Sequence, residues 1–118
     1  MIQKVNNNGD GLRKDNIALF ENAYSSAVKE GMKILGDDVS KIVQDYIEDK
    51  YSFIIENTSQ DPKSLSEALQ FAIDGGKRII ERRIIRILSK KLDIEYHSAE
   101  LINFEKQINE MRKRFEEK

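Results

Sequence analysis

Apolar residues recur at three- and four-residue steps in five stretches of the chain, the spacing of amphipathic helices packed on a common core. The first stripe is Ile17, Phe20, Tyr24, Ala27, Val28 and Leu35, in a helix expected to begin near Leu12–Asp15 with Asp15 or Asn16 as its cap. Gly31 lies on or near that stripe, where it would allow close helix packing, and Gly36 suits a C-cap. Asp37 or Asp38 is expected to cap the second helix, whose stripe reads Val39, Ile42, Val43, Tyr46, Ile47 and Ile54. The run Tyr51–Ile55 has strand-like composition, but no second run exists to pair its backbone groups, so it reads as the end of that helix. After a polar linker at 57–63, Pro62 fits a first helical turn and Ser64 with Glu67 has capping-box spacing, opening a short third helix with Leu65, Ala68, Leu69, Ala72 and Ile73 that stops at Gly75–Gly76. The fourth helix runs from Lys77 to about Leu92 and buries Ile80, Ile84, Ile85, Ile87, Leu88 and Leu92, leaving Ile79 on the wrong side.

The fifth helix, with Ser98 as its expected cap, has the most regular pattern: Leu101, Phe104, Ile108, Met111 and Phe115 form a heptad-like seam. So short a seam is marginal alone. It is expected to pack on the domain's own helices or on the same helix of a second copy, which makes residues 98–118 a candidate self-association element. The expected architecture is an all-α, compact bundle of about five helices in one domain spanning 12–118, preceded by a flexible arm at 1–11 rich in Asn and Gly.

Charge changes this picture in one place. Residues 77–91 carry seven cationic side chains against the single acid Glu81, in a chain of 118 residues with formal net charge −1. At about 100° per residue the cations separate from the aliphatics, so Lys77, Arg78, Arg82, Arg83, Arg86 and Lys90 form a basic face for an anionic surface or partner protein. Residues 37–61 have the opposite bias, with Asp37, Asp38, Asp45, Glu48, Asp49, Glu56 and Asp61 against Lys41 and Lys50. The two patches could meet within the fold, pair between copies, or serve different partners.

Little in the sequence nominates chemistry. There is no cysteine, which excludes disulfides and thiolate sites and is compatible with a reducing cytoplasm, the expected location. No run approaches the roughly 18 apolar residues of a membrane span, and the first residues lack a signal-peptide core. His97 is the only histidine, too few nitrogens for an ordinary zinc set despite Asp93, Glu95 and Glu100 nearby. Asp74–Lys77 has a glycine pair, but Arg78 stands where a phosphate-binding loop needs a hydroxyl. The acids lie on polar faces or at helix starts, none alone among aliphatics, so no catalytic, cofactor or metal residue is assigned and no enzyme is expected. Nucleic-acid or phosphate-anion binding by helix 77–91 is the alternative to protein binding. Against it stand the acidic pI, about 5.9, and an outer face without the Asn, Gln or Thr that read bases.

Residues 17–96 resemble small archaeal helical domains, among them the Nitrosopumilus output domain family. The resemblance rests on Leu35, Gly36 and Val39 at the start of the second helix, on Pro62 to Leu69, and on Gly75, Gly76, Ile80 and Arg82. It implies an all-helical signalling-output or adaptor domain without enzymatic activity. The expectation is a non-catalytic interaction or regulatory domain acting on another protein or on its own second copy, with no cofactor and no membrane.

Overall fold

A computed structural model describes residues 2–73, 75–95 and 103–117, with side-chain placement from residue 15 onward. Five α-helices form a bundle: α1 (Ile2–Met32), α2 (Asp37–Tyr51), α3 (Pro62–Ala72), α4 (Lys77–Leu92) and α5 (Phe104–Glu116). Short 3-10 turns at Lys33–Leu35 and Ile55–Asn57 flank α2, and there is no strand among the described residues. The all-α expectation holds.

The core is built where the stripes of α1, α4 and α5 meet. Phe20, Tyr24, Ala27, Val28 and Met32 of α1 face Ile80, Ile84, Ile85, Leu88 and Leu92 of α4, and all are buried. Phe104, Ile108 and Met111 of α5 close that layer, with Leu65, Ala68 and Leu69 of α3 beneath. The seam on α5 therefore lies inside one chain. Phe115, half-buried, packs at 6.5 Å between ring centroids from Phe20, and Asn16 Nδ2 donates to the Phe115 carbonyl at 3.3 Å. Of the two placements expected for the seam, packing on the domain's own helices accounts for Phe104, Ile108 and Met111, which are buried within the chain, with Phe115 half-buried beside them. Leu101 and Ser98 lie outside the described residues.

Several helix ends differ from expectation. The α1 backbone is helical back to Ile2 rather than starting near Leu12. Gly36, at φ +85°, takes the N-cap position of α2, so Asp37 and Asp38 stand in its first turn, where they complement the unpaired amides by charge. α2 stops at Tyr51 because Ser52 is left-handed (φ 60°), which sends Ile55 into the core. Asp61, not Ser64, caps α3: its carboxylate accepts from the Ser64 amide at 3.4 Å and from the Ser64 hydroxyl at 2.6 Å, with Pro62 next in the chain. Asn103 caps α5 by accepting from the Lys106 amide at 2.9 Å.

Several buried polar groups between the helices are paired. The Thr58 hydroxyl donates to the Ile55 carbonyl at 2.8 Å, so the Tyr24 phenol, 2.7 Å away, donates to Thr58. Burial pushes that phenol's pKa well above the usual tyrosine value. Arg112 of α5 donates to the Ser59 carbonyl in the loop before α3, and also to Asn109 Oδ1 on its own helix at 2.8 Å.

Gly31 sets the approach of α1 to α4. A Cβ placed there would stand 2.6 Å from Ile84 Cγ1 and 3.5 Å from the Ile84 backbone nitrogen. Ile84 is fully buried and β-branched, so its side chain has little room to turn away. Gly31→Ala would gain about 1 kcal/mol of helix preference, against an overpacking cost of about 1–3 kcal/mol. We expect a net loss of stability, seen as a thermal midpoint several degrees lower with unchanged helical content.

Candidate functional site

The outer face of α4 carries the largest concentration of exposed like charge suggested by the sequence, and the fold leaves it open. α4 docks through Ile80, Ile84, Ile85, Leu88 and Leu92, which turns Arg78, Arg82, Arg86 and Lys90 outward, all exposed. These four stand at four-residue steps, so successive cations are neighbours one turn apart. Among the described residues none has a carboxylate within ion-pair distance; the pairs present join Lys29 to Glu56, Lys41 to Asp45, Lys91 to Glu30 and Arg114 to Glu110. The basic face thus does not meet the acidic residues of α2 within the chain.

Two cations of the predicted face are placed differently. Lys77 is half-buried at the start of α4, and Arg83 is half-buried with its Nε enclosed and without a hydrogen-bond partner. Arg83 is therefore partly an interior residue. Lys91 belongs to the fold as well: its 2.9 Å pair with Glu30 ties α4 to α1 and lowers the Glu30 pKa.

Ile79 completes the surface. It is 55% exposed. Three residues before Arg82 and seven before Arg86, it lies among the cations on the same side of the helix. The face is therefore a basic surface with an aliphatic side chain at its N-terminal end, between Arg78 and Arg82.

A second feature was missed by the sequence reading. Glu81 is buried, at 3% exposure, and its carboxylate accepts from the Ser66 hydroxyl of α3 at 2.5 Å. The signal was present: Glu81, Ile84, Ile85, Leu88 and Leu92 follow one helical stripe. It lines a polar groove of about 580 Å³ between α3 and the starts of α4 and α5, with Lys63, Lys77 and Arg78 among the other lining residues. Burial raises the Glu81 pKa, opposed by the Ser66 hydrogen bond and by the charges of Lys77 and Arg78. The groove also holds Glu67 and Glu105, so it mixes both signs and selects neither a cation nor an anion.

The Glu81 shift has a stability consequence of definite sign. A carboxyl whose folded-state pKa lies above its ordinary 4.5 holds its proton more tightly in the folded protein. Its contribution to stability is greatest below pH 4.5 and is lost as pH rises through the folded value. Glu81→Gln keeps an acceptor for Ser66 and removes the ionisation. Its stability relative to wild type should therefore climb from pH 4.5 towards neutrality, measured as the difference between the two proteins' denaturant midpoints at each pH. A flat difference would show that Glu81 ionises freely in the fold.

His97 lies outside the described residues. Among the described residues no group of three or more His, Cys, Asp or Glu side chains is placed to hold a metal ion, and no helix is long and apolar enough to cross a membrane. No protein-family model, curated protein or solved structure matches the chain.

Proposed function

We propose that this is a protein-interaction domain that engages an acidic, partly apolar protein surface through the outer face of α4. The observation that carries the reading is the open row of Arg78, Arg82, Arg86 and Lys90 with exposed Ile79 among them. Three consecutive like-charge pairs at four-residue spacing each cost about 0.2–0.5 kcal/mol in an isolated helix. An anionic partner relieves that repulsion. Arginine also forms two-point contacts with carboxylates, and Ile79 adds apolar area beside Arg78 and Arg82.

The same features favour protein over nucleic acid. Phosphate contact needs cations alone, and an exposed isoleucine contributes nothing to it. A long polyanion would also feel the exposed Asp37, Asp38, Asp45 and Asp49 of α2 in a chain of net charge −1. A signalling-output or adaptor role, the one implied by the resemblance of residues 17–96 to archaeal output domains, fits a domain that contributes a binding face and leaves chemistry to its partner.

The test compares two labelled probes: a synthetic amphipathic helical peptide with Glu and Leu on one face, and mixed-sequence duplex DNA. At about 50 mM salt, where charges across about 10 Å still interact, the peptide should bind and the DNA should bind more weakly. Tighter DNA binding with a steep loss on added salt would establish the phosphate-binding alternative instead.

A further inference from the structure

α2 buries less than half of its apolar stripe. Val43 and Ile47 reach the core, whereas Val39, Ile42 and Tyr46, expected there from the sequence, remain exposed. Ile42 is 66% exposed. Beside them Phe71 projects from α3 at 70% exposure, and the two helices enclose an apolar groove of about 240 Å³ lined by Ile42, Val43, Tyr46, Phe71 and Ala72. Large apolar side chains clustered on a surface in this way mark interaction sites.

Charge identifies what fits the groove. At helical spacing Asp38, Asp45 and Asp49 run along the side of α2 next to Ile42, and all three are exposed. Asp45 has only an exposed 3.9 Å pair with Lys41, which contributes little. The groove is thus an apolar slot with an acidic rim on one side, while on the other the Lys50 ammonium lies 5.5 Å over the Tyr46 ring and donates to its hydroxyl at 3.1 Å. The outer face of α4 has the reverse layout, a basic row with the aliphatic Ile79 beside Arg78 and Arg82. The spacing agrees too: Asp45 and Asp49 are one helical turn apart, as are Arg82 and Arg86.

We propose that the α2–α3 groove is the docking site for α4 of a second copy of this chain, with Ile79 seated among Ile42, Tyr46 and Phe71 and the arginines paired with Asp45 and Asp49. This deepens, and rests on, the reading of α4 as a protein-binding face. The contact is heterologous, one face meeting a different face, so it either closes reciprocally or continues from copy to copy.

The experiment is sedimentation velocity on the full chain up to about 0.1 mM at low salt, a range that populates small transient interfaces. Wild type should associate with rising concentration and dissociate on added salt. Ile42→Ser with Phe71→Ser removes the acceptor, and Arg82→Glu with Arg86→Glu removes the donor. Each double variant changes exposed side chains only and should keep wild-type helicity while self-associating about tenfold to a hundredfold more weakly. Mixed together, the two variants supply one intact acceptor and one intact donor, and association should return. Wild type that stays monomeric, an acceptor variant that still associates, or a mixture that stays monomeric would each overturn the proposal. A monomeric wild type that nevertheless binds the acidic peptide through α4 overturns the docking site alone. A monomer that binds neither overturns both readings.

Discussion

Ile108→Asp abolishes the fold rather than dividing an oligomer. Ile108 is fully buried on the α5 face that meets α1, α3 and α4, with Phe104 and Met111 buried on either side. Truncating such a side chain to alanine costs about 2–5 kcal/mol. Aspartate adds the desolvation of a carboxylate, and nothing on that stripe offers it a partner. A domain has only about 5–15 kcal/mol of net stability, so the sum approaches or exceeds the whole. The expected result is loss of the helical circular-dichroism signal and of the cooperative thermal transition at neutral pH. Ile108→Ala should remain folded with a midpoint lowered in proportion. A folded Ile108→Asp protein of reduced molar mass would mean that α5 belongs to a subunit interface after all.

Reversing Arg82, Arg86 and Lys90 to glutamate gives the opposite pattern: binding is lost and the fold survives. All three side chains are exposed, and none has a carboxylate partner among the described residues. Replacing one row of like charges by another leaves the repulsion along the helix about the same. The Lys90→Glu change, in the last turn of α4, sets a negative charge against the helix dipole at a cost of about 0.3–1 kcal/mol. Arg83 is left in place because its enclosed Nε makes it partly a core residue. Each reversal turns an attraction for an acidic partner into a repulsion. The acidic peptide should bind at least about a hundredfold more weakly at low salt, a change of roughly 2.7 kcal/mol or more, while circular dichroism and thermal midpoint stay close to wild type. Retained binding would remove α4 from the functional surface.

The polar groups divide in a similar way between what spacing shows and what packing decides. The basic face stood out because seven cations fall within one helix and four keep one-turn spacing, and open solvent is the least costly place for four unpaired cations. Ile79 on the exposed side followed from the same geometry. Glu81 was harder to place. Its stripe was visible, but its tolerance inside depends on Ser66, fifteen residues away on another helix, which supplies the hydrogen bond. Asp61 and Asn103 compete with Ser64 and other nearby candidates for the same caps, and only the backbone geometry selects among them.

Helical periodicity was enough to establish an all-α bundle, because a 3.6-residue repeat of apolar side chains can be buried in no other regular structure. It was also enough to show which side of α4 faces outward. The repeat states that a face is apolar without stating what covers it. α2 and α5 both have clear apolar stripes, yet α5 is enclosed by α1, α3 and α4, whereas α2 packs chiefly on the preceding 3-10 turn and α3 and leaves Ile42, Tyr46 and the neighbouring Phe71 in solvent. That difference lies in how many neighbours the tertiary arrangement brings to each helix, a long-range property that no local spacing encodes. It leaves the seam at 104–115 largely covered and the apolar side chains beside the α2–α3 groove open.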